Sequence, residues 1–197
     1  VTLTSGGGEK IYDGQPLTNS TVTVSGNGFA EGEGATYEFT GSQTLVGSSA
    51  NAFAYTLNEG TKADNYNIMK SEGTLTVTNR DAKYEIEVES NSAEFTYDGN
   101  EHAAEGFKTL EFTVDGNKYT VSGLSASVSG TDAGTYPNNV TGTAKVTDAA
   151  GNDVTSQFSV TTESGSLVIN KAKATIAPKD ATKAYDGTDL KASEFVT

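Results

Sequence analysis

His102 is the only histidine in the chain, so a Ser–His–Asp triad would have to be built on it, in the loop after Asp98-Gly99. Nothing else in the sequence completes such a site. The chain contains no HExxH zinc motif, no phosphate-binding GxxxxGK[ST] loop and no GxGxxG turn. Carboxylate pairs are abundant because Asp and Glu total 26, but no spacing singles out an acid and a base for glycoside hydrolysis. A surface histidine and a chain without catalytic residues or cofactor are expected. A second candidate is the loop from Asp148 to Asp153, where Asp148, Asn152 and Asp153 surround a glycine with oxygen donors. Such a loop could hold Ca²⁺, but it lacks the spacing and closing glutamate of an EF-hand, and a polar turn is the preferred reading. A third possibility is a Lys–Asn isopeptide bond, with Lys10 facing Asn51 or Asn65. Each such bond would lower the intact mass by one ammonia.

Composition narrows the classes further. A net charge of −13 and the lack of any Lys/Arg cluster argue against a nucleic-acid partner, since no surface could displace counterions from phosphate. The same charge disfavours anionic membranes, and no apolar run approaches the ~20 residues of a span, so no membrane insertion is expected. Cysteine is absent, which removes disulfides, thiolate metal sites and thiol nucleophiles. With 22 Gly but only 3 Pro among many Thr, Ser, Val and Asn residues, the chain reads as short strands joined by tight turns.

Those strands repeat. Tyr12-Asp13-Gly14 returns as Tyr97-Asp98-Gly99 and as Tyr185-Asp186-Gly187, at intervals of 85 and 88 residues, about the length of one small β domain. Alternating segments precede each copy: Val1–Thr4, Ile86–Glu89 and Ala174–Ala177 begin 11 residues ahead of the tyrosine. Two units also close alike, with Asn65-Tyr66-Asn67-Ile68 and Gly73–Val77 matching Gln157-Phe158-Ser159-Val160 and Gly165–Ile169. Turn signals about every 8 to 12 residues predict seven or eight strands per unit and almost no helix. Asn27-Gly28 and Asp115-Gly116 read as hairpin turns, and Glu101–Phe107 is the one candidate for a helical turn. The expected fold is all-β: tandem Ig-like antiparallel β-sandwiches over residues 1–79 and 80–171, with 172–197 the start of a third. Short linkers, about Thr78–Tyr84 and Asn170–Lys173, suggest a stiff string of domains. The third start is too short for a core of its own, so packing on the second unit or on a neighbouring chain is expected to order it.

The Tyr-Asp-Gly element reads as a corner: an inward tyrosine ends a strand, an aspartate accepts a backbone N–H, and a glycine takes positive φ. The structural reading is preferred to a binding site, with Tyr12 and Tyr97 buried and Asp13 and Asp98 bonded to backbone. Lys10-x-Tyr12-Asp13-Gly14-x-Pro16-Leu17, Phe39–Thr44, Asn65–Ile68 and Gly73-Thr74-Leu75 resemble the YDG/MBG-type repeats of bacterial cell-surface proteins. The second unit resembles them more loosely. The resemblance implies a secreted, wall-attached, non-catalytic tandem module, a segment of something longer, whose partners are its neighbouring repeats. Each unit would add roughly 40 Å if strands run along the axis at ~3.3 Å per residue. The alternative is a module that binds host glycans or glycoproteins, with Tyr119 and Tyr136 as the aromatic platforms. Asp132-Ala133-Gly134-Thr135-Tyr136 is also similar to the tyrosine corner of Ig-like sandwiches, although an ordinary turn is the competing reading.

Overall fold

In the computed structural model the described residues are 1–191 and the backbone of 195–196. The first repeat carries β1 (Thr2–Ser5), β2 (Gly8–Ile11), β3 (Val22–Ser25), β4 (Ala35–Phe39), β5 (Gly47–Ala50), β6 (Phe53–Leu57), β7 (Met69–Ser71) and β8 (Thr74–Thr78). The second carries β9 (Tyr84–Glu89), β10 (Ala93–Thr96), β11 (His102–Glu105), β12 (Glu111–Val114), β13 (Asn117–Gly130), β14 (Gly134–Asn138), β15 (Val140–Asp148), β16 (Phe158–Glu163) and β17 (Gly165–Asn170). β18 (Ala177–Pro178) and β19 (Phe195–Val196) follow and pair with each other. The only helical elements among the described residues are single 3₁₀ turns at Ala63–Asn65 and Thr155–Gln157, so the chain is all-β.

The alternation seen in the sequence is the alternation of burial. Leu3 and Ser5 on β1, Leu75 and Val77 on β8, Ile86 and Val88 on β9, and Leu167 and Ile169 on β17 face inward, while their neighbours face out. The sheets are mixed rather than purely antiparallel. β1 runs parallel to β7, β2 to β8 and β10 to β17. Parallel pairing needs a long crossover, and here most of a repeat supplies it, because opening strands pair with closing strands. Within the repeats, β1 pairs antiparallel with β3, β4 with β6 and β5 with β8. β14 likewise pairs antiparallel with β17.

Local signals succeeded where the turn alone decides and failed where distant pairing decides. Asp115-Gly116 forms the expected two-residue hairpin, with both residues at positive φ (48° and 80°) and Val114 opposite Asn117. Asn27-Gly28 does turn, but β3 pairs with β1 and β4 with β6, so no hairpin forms there. The expected helical turn at 101–107 is instead β11, whose residues pair with β13 from Glu105–Ser127 to His102–Gly130. Burying Ala104 in that ladder outweighs the helical preference of an Ala-Ala-Glu run.

Packing divides the chain into two units that cut across the repeats. The first comprises residues 1–88, 109–124 and 142–162. Its buried side chains include Leu3, Tyr12, Phe53, Leu75, Tyr119, Val146 and Phe158. The second comprises 89–108, 125–141 and 163–197, with Ala104, Leu167 and Ile169 as its core and Ala93, Val128 and Tyr136 against it. The opening of the third repeat is left largely uncovered by the rest of this chain. Residues 171–191 are exposed except for half-buried Ala181, and Ile176 and Tyr185 are 68% and 98% exposed. So few residues bury too little to form a core of their own. Residues 192–194 and 197, part of that segment, lie outside the described residues.

Candidate functional site

Each repeat is closed by the same polar lock. In the first, the Ser5 hydroxyl donates to the Asn51 carbonyl (2.7 Å) and accepts from the Gly73 N–H (3.0 Å). The Asn51 amide donates to the carbonyls of Gly6 and Asn19. In the second, Ser90 donates to the Asn138 carbonyl (2.6 Å) and accepts from the Gly165 N–H (2.8 Å), while Asn138 donates to Asn91. Ser5, Ser90, Asn51 and Asn138 are fully buried. The amide oxygens of both asparagines lack a hydrogen-bond partner among the described residues. Gly73 and Gly165 are required because a Cβ would stand 2.4 Å from the Ser5 carbonyl and 2.4 Å from that of Asn91.

The three Tyr-Asp-Gly corners share a local frame but differ in what surrounds them. The Tyr12 N–H donates to Thr78 O, and the Tyr97 N–H donates to Asn170 O. Asp13, Asp98 and Asp186 each accept the backbone N–H two residues on, from Gln15, Asn100 and Thr188. Lys10 and Lys183 also bond Asp13 (2.6 Å) and Asp186 (2.7 Å). Burial opposes ionisation of Asp13, but the Lys10 ammonium and the Gln15 N–H outweigh it and hold the carboxyl below its usual range. Asn100 and then His102 do the same for Asp98.

Tyr12 is 1% exposed because a joint forms over it inside the first unit. Arg80, the only arginine in the chain, donates through Nη1 to Tyr12 O (3.0 Å) and to the Tyr84 hydroxyl (3.1 Å), with its guanidinium 4.0 Å over the Tyr84 ring. Its backbone N–H donates to Gln157 Oε1 (3.0 Å), and Gln157 Nε2 donates to Asn79 (2.6 Å). Asn117 reaches from the β12–β13 hairpin to Asp13 O (3.0 Å) and accepts from Gln15 (2.6 Å). The Tyr84 hydroxyl donates to Asp115 (2.8 Å). Burial first, then that bond, pushes the Tyr84 hydroxyl up to about 12, although Arg80 acts the other way. Burial and the Tyr119 hydroxyl 3.5 Å away raise Tyr12 well above an ordinary tyrosine. An open cleft of about 320 Å³ borders this joint, lined by Tyr12, Leu45, Asn117, Tyr119 and Asp148.

The second corner has no such cover. Tyr97 is 42% exposed, against the expectation of burial, because the inward position of a strand-ending tyrosine is completed only by what packs over it. Beside it the His102 ring stacks on Phe95 (4.1 Å, 15°), and His102 Nε2 lies 3.0 Å from Asp98. Among the described residues no serine hydroxyl bonds the His102 ring, which a triad would require.

The remaining candidates are engaged by nearby protein groups. Both oxygens of Asp148 accept from its own loop, from Ala150 and Asn152, and Asp153 bonds Thr155. Among the described residues no group of three or more His, Asp or Glu side chains is placed to hold a metal. The Lys10 ammonium is engaged by Asp13, and the Asn51 amide donates to the carbonyls of Gly6 and Asn19. Asn65 lies in the first 3₁₀ turn. Tyr119 is 2% exposed and cannot serve as a sugar platform. The half-buried Tyr136 turns its hydroxyl to the Asp132 carbonyl four residues back (2.9 Å), the bond a tyrosine corner makes, and its ring fills the space that a side chain at Gly130 would take.

Sequence reasoning missed Arg80, Asn117, Gln157 and the two locks. The locks were findable: Ser5 and Ser90 both stand seven residues ahead of a repeated tyrosine. No helix among the described residues is long and apolar enough to cross a membrane. Comparison of the chain with family models, with curated proteins and with solved structures found no match. The chain is thus all-β, with a hydrogen-bonded joint around Tyr12 and Arg80.

Proposed function

We propose that the chain is a run of tandem Ig-like β-sandwich repeats of the YDG/MBG kind, serving as a non-catalytic stalk in a secreted, wall-attached bacterial surface protein. Its working partners are its own neighbouring repeats. The observation that carries this reading is the clamped linker. Arg80 spends its backbone N–H and its guanidinium on Gln157, Tyr12 and Tyr84. A spacer needs such joints, because a loose linker recoils entropically whereas a bonded one holds its length. The acidic surface and the absence of cysteine suit an exposed bacterial product. Glycan binding has less support, since Tyr119 is buried and Tyr136 is turned onto its own backbone.

Arg80 being unique makes the test direct. An arginine-specific protease has one site, and the native chain should be cut at least about tenfold more slowly than the unfolded chain. Gln157→Ala should restore part of the cleavage. Cleavage of the native chain at the unfolded rate would sink the clamped-stalk reading. Saturable binding to mucin or arrayed glycans below roughly 100 μM would replace it with the adhesive one.

A further inference from the structure

We infer that the second corner, Tyr97-Asp98-Gly99 with Phe95 and His102, is a docking surface for the β-hairpin of a following repeat, the segment equivalent to Asp115–Tyr119. The inference rests on the tandem-repeat reading and adds to it the residues of the next joint.

Three observations lead there. First, the two corners have the same backbone frame. Ile11 is paired with Thr78 where Thr96 is paired with Asn170, both in parallel ladders, and both tyrosine N–H groups donate to the last of those residues. Second, although Leu45 of the first repeat also lines the cleft, the side-chain bonds that reach over the first corner from Arg80, Asn117 and Tyr119 all come from the following repeat. Asn117 takes the Asp13 carbonyl and the Gln15 amide, and the Tyr119 hydroxyl meets that of Tyr12. The second corner retains the complementary chemistry, with Asn100 supplying a carboxamide at the place of Gln15 and Asp98 supplying the same carbonyl. Third, the second corner displays an apolar patch: Phe95 is 37% and Tyr97 42% exposed, with the His102 ring laid on Phe95. A third repeat does begin after it. Ile176 stands nine residues ahead of Tyr185, as Leu3 and Val88 stand ahead of Tyr12 and Tyr97, and those two are fully buried. Counted from Asn170 as Arg80 is counted from Thr78, Ala172 takes the arginine's place, so the arginine clamp is not repeated and the occupant must bind through the rings and through Asp98 and Asn100.

The test appends a second copy of residues 79–170 directly after Asn170, with Arg80→Ala in that copy to match Ala172, and marked by Glu85→Asp and Thr131→Ser so that its peptides differ in mass. Tyrosine nitration is then mapped by mass spectrometry. Tyr97 in the original position should react at least about tenfold more slowly than the appended copy's Tyr97, which remains a free corner in the same molecule. Equal rates for the two, with the appended copy's Tyr119 unreactive and hence folded, would overturn the inference while leaving the clamped linker and the stalk untouched. A second arm covers the case in which the appended copy does not fold. Lys10→Phe, Ile11→Thr and Gln15→Asn place the second corner's residues under the existing hairpin of the 197-residue chain. Tyr12 should stay as unreactive as in the parent, within about threefold. Reaction at the rate of Tyr185 would show that this corner does not fit the hairpin.

Discussion

The corners at Tyr12 and Tyr97 have the same three residues, the same aspartate turn and the same ladder bond, yet one tyrosine is 1% exposed and the other 42%. Burial of the corner is therefore not a property of the motif. The locks behave in the opposite way. Ser5–Asn51–Gly73 and Ser90–Asn138–Gly165 draw every partner from their own repeat, and both are fully buried. One polar device is closed within a repeat and can be copied intact. The other is left open, and its environment depends on the segment that follows.

The largest effect should separate the corners. Tyr12→Ala removes a fully buried ring that Arg80, Asn117 and Tyr119 enclose, and should cost about 3–4 kcal/mol. Tyr97→Ala removes a ring that water already reaches, and should cost about 1 kcal/mol. Denaturant melts of the two variants, compared at fixed m-value, test this. Equal losses would mean that the second corner is packed as tightly as the first.

The next experiment should instead show the repeats alike. Asn51→Ala and Asn138→Ala each strand buried carbonyls that the amide served, and each should cost about 1–3 kcal/mol. The two losses should agree to within about 1 kcal/mol. A large loss at one and none at the other would show that the locks are alike in geometry only. Ser5→Ala and Ser90→Ala should follow the same rule, because each hydroxyl joins a carbonyl to a glycine N–H.

How much of this was legible follows from where each partner lies in the chain. The strands, the Asp115-Gly116 hairpin and the aspartate turns rest on contacts a few residues apart, and alternation and turn chemistry reveal them. The parallel pairing of β1 with β7 and of β2 with β8 rests on residues more than sixty positions apart, so the all-β class was readable but the mixed sheets were not. The joint was harder still. Arg80 is a single charge in a short linker, and only the fold brings Tyr12, Tyr84 and Gln157 to it. Exposure of Tyr97 had no local signal, since the motif that buries Tyr12 is unchanged there.

The smallest effect concerns pH and touches only the covered corner. Burial and the Tyr119 hydroxyl raise the Tyr12 hydroxyl in the folded chain above the ~10 of an unfolded tyrosine. The folded state then keeps a proton that the unfolded state gives up once the pH passes ~10. This contribution is complete below pH ~10 and is lost as the pH rises from there toward the folded value, by at most about 1.4 kcal/mol per unit. Wild type should thus lose stability between pH 10 and 11 more steeply than Tyr12→Phe, which has no proton to release. The difference in slope should be about 1 kcal/mol per pH unit. Tyr12→Phe keeps the ring and gives up only the long contact to Tyr119, so its stability at neutral pH should stay close to that of wild type. Because the chain already carries a net charge of −13, general repulsion steepens every variant alike and cancels in the comparison. Parallel slopes for wild type and Tyr12→Phe would mean that the Tyr12 hydroxyl reaches water in the folded chain and that the joint over the first corner opens readily.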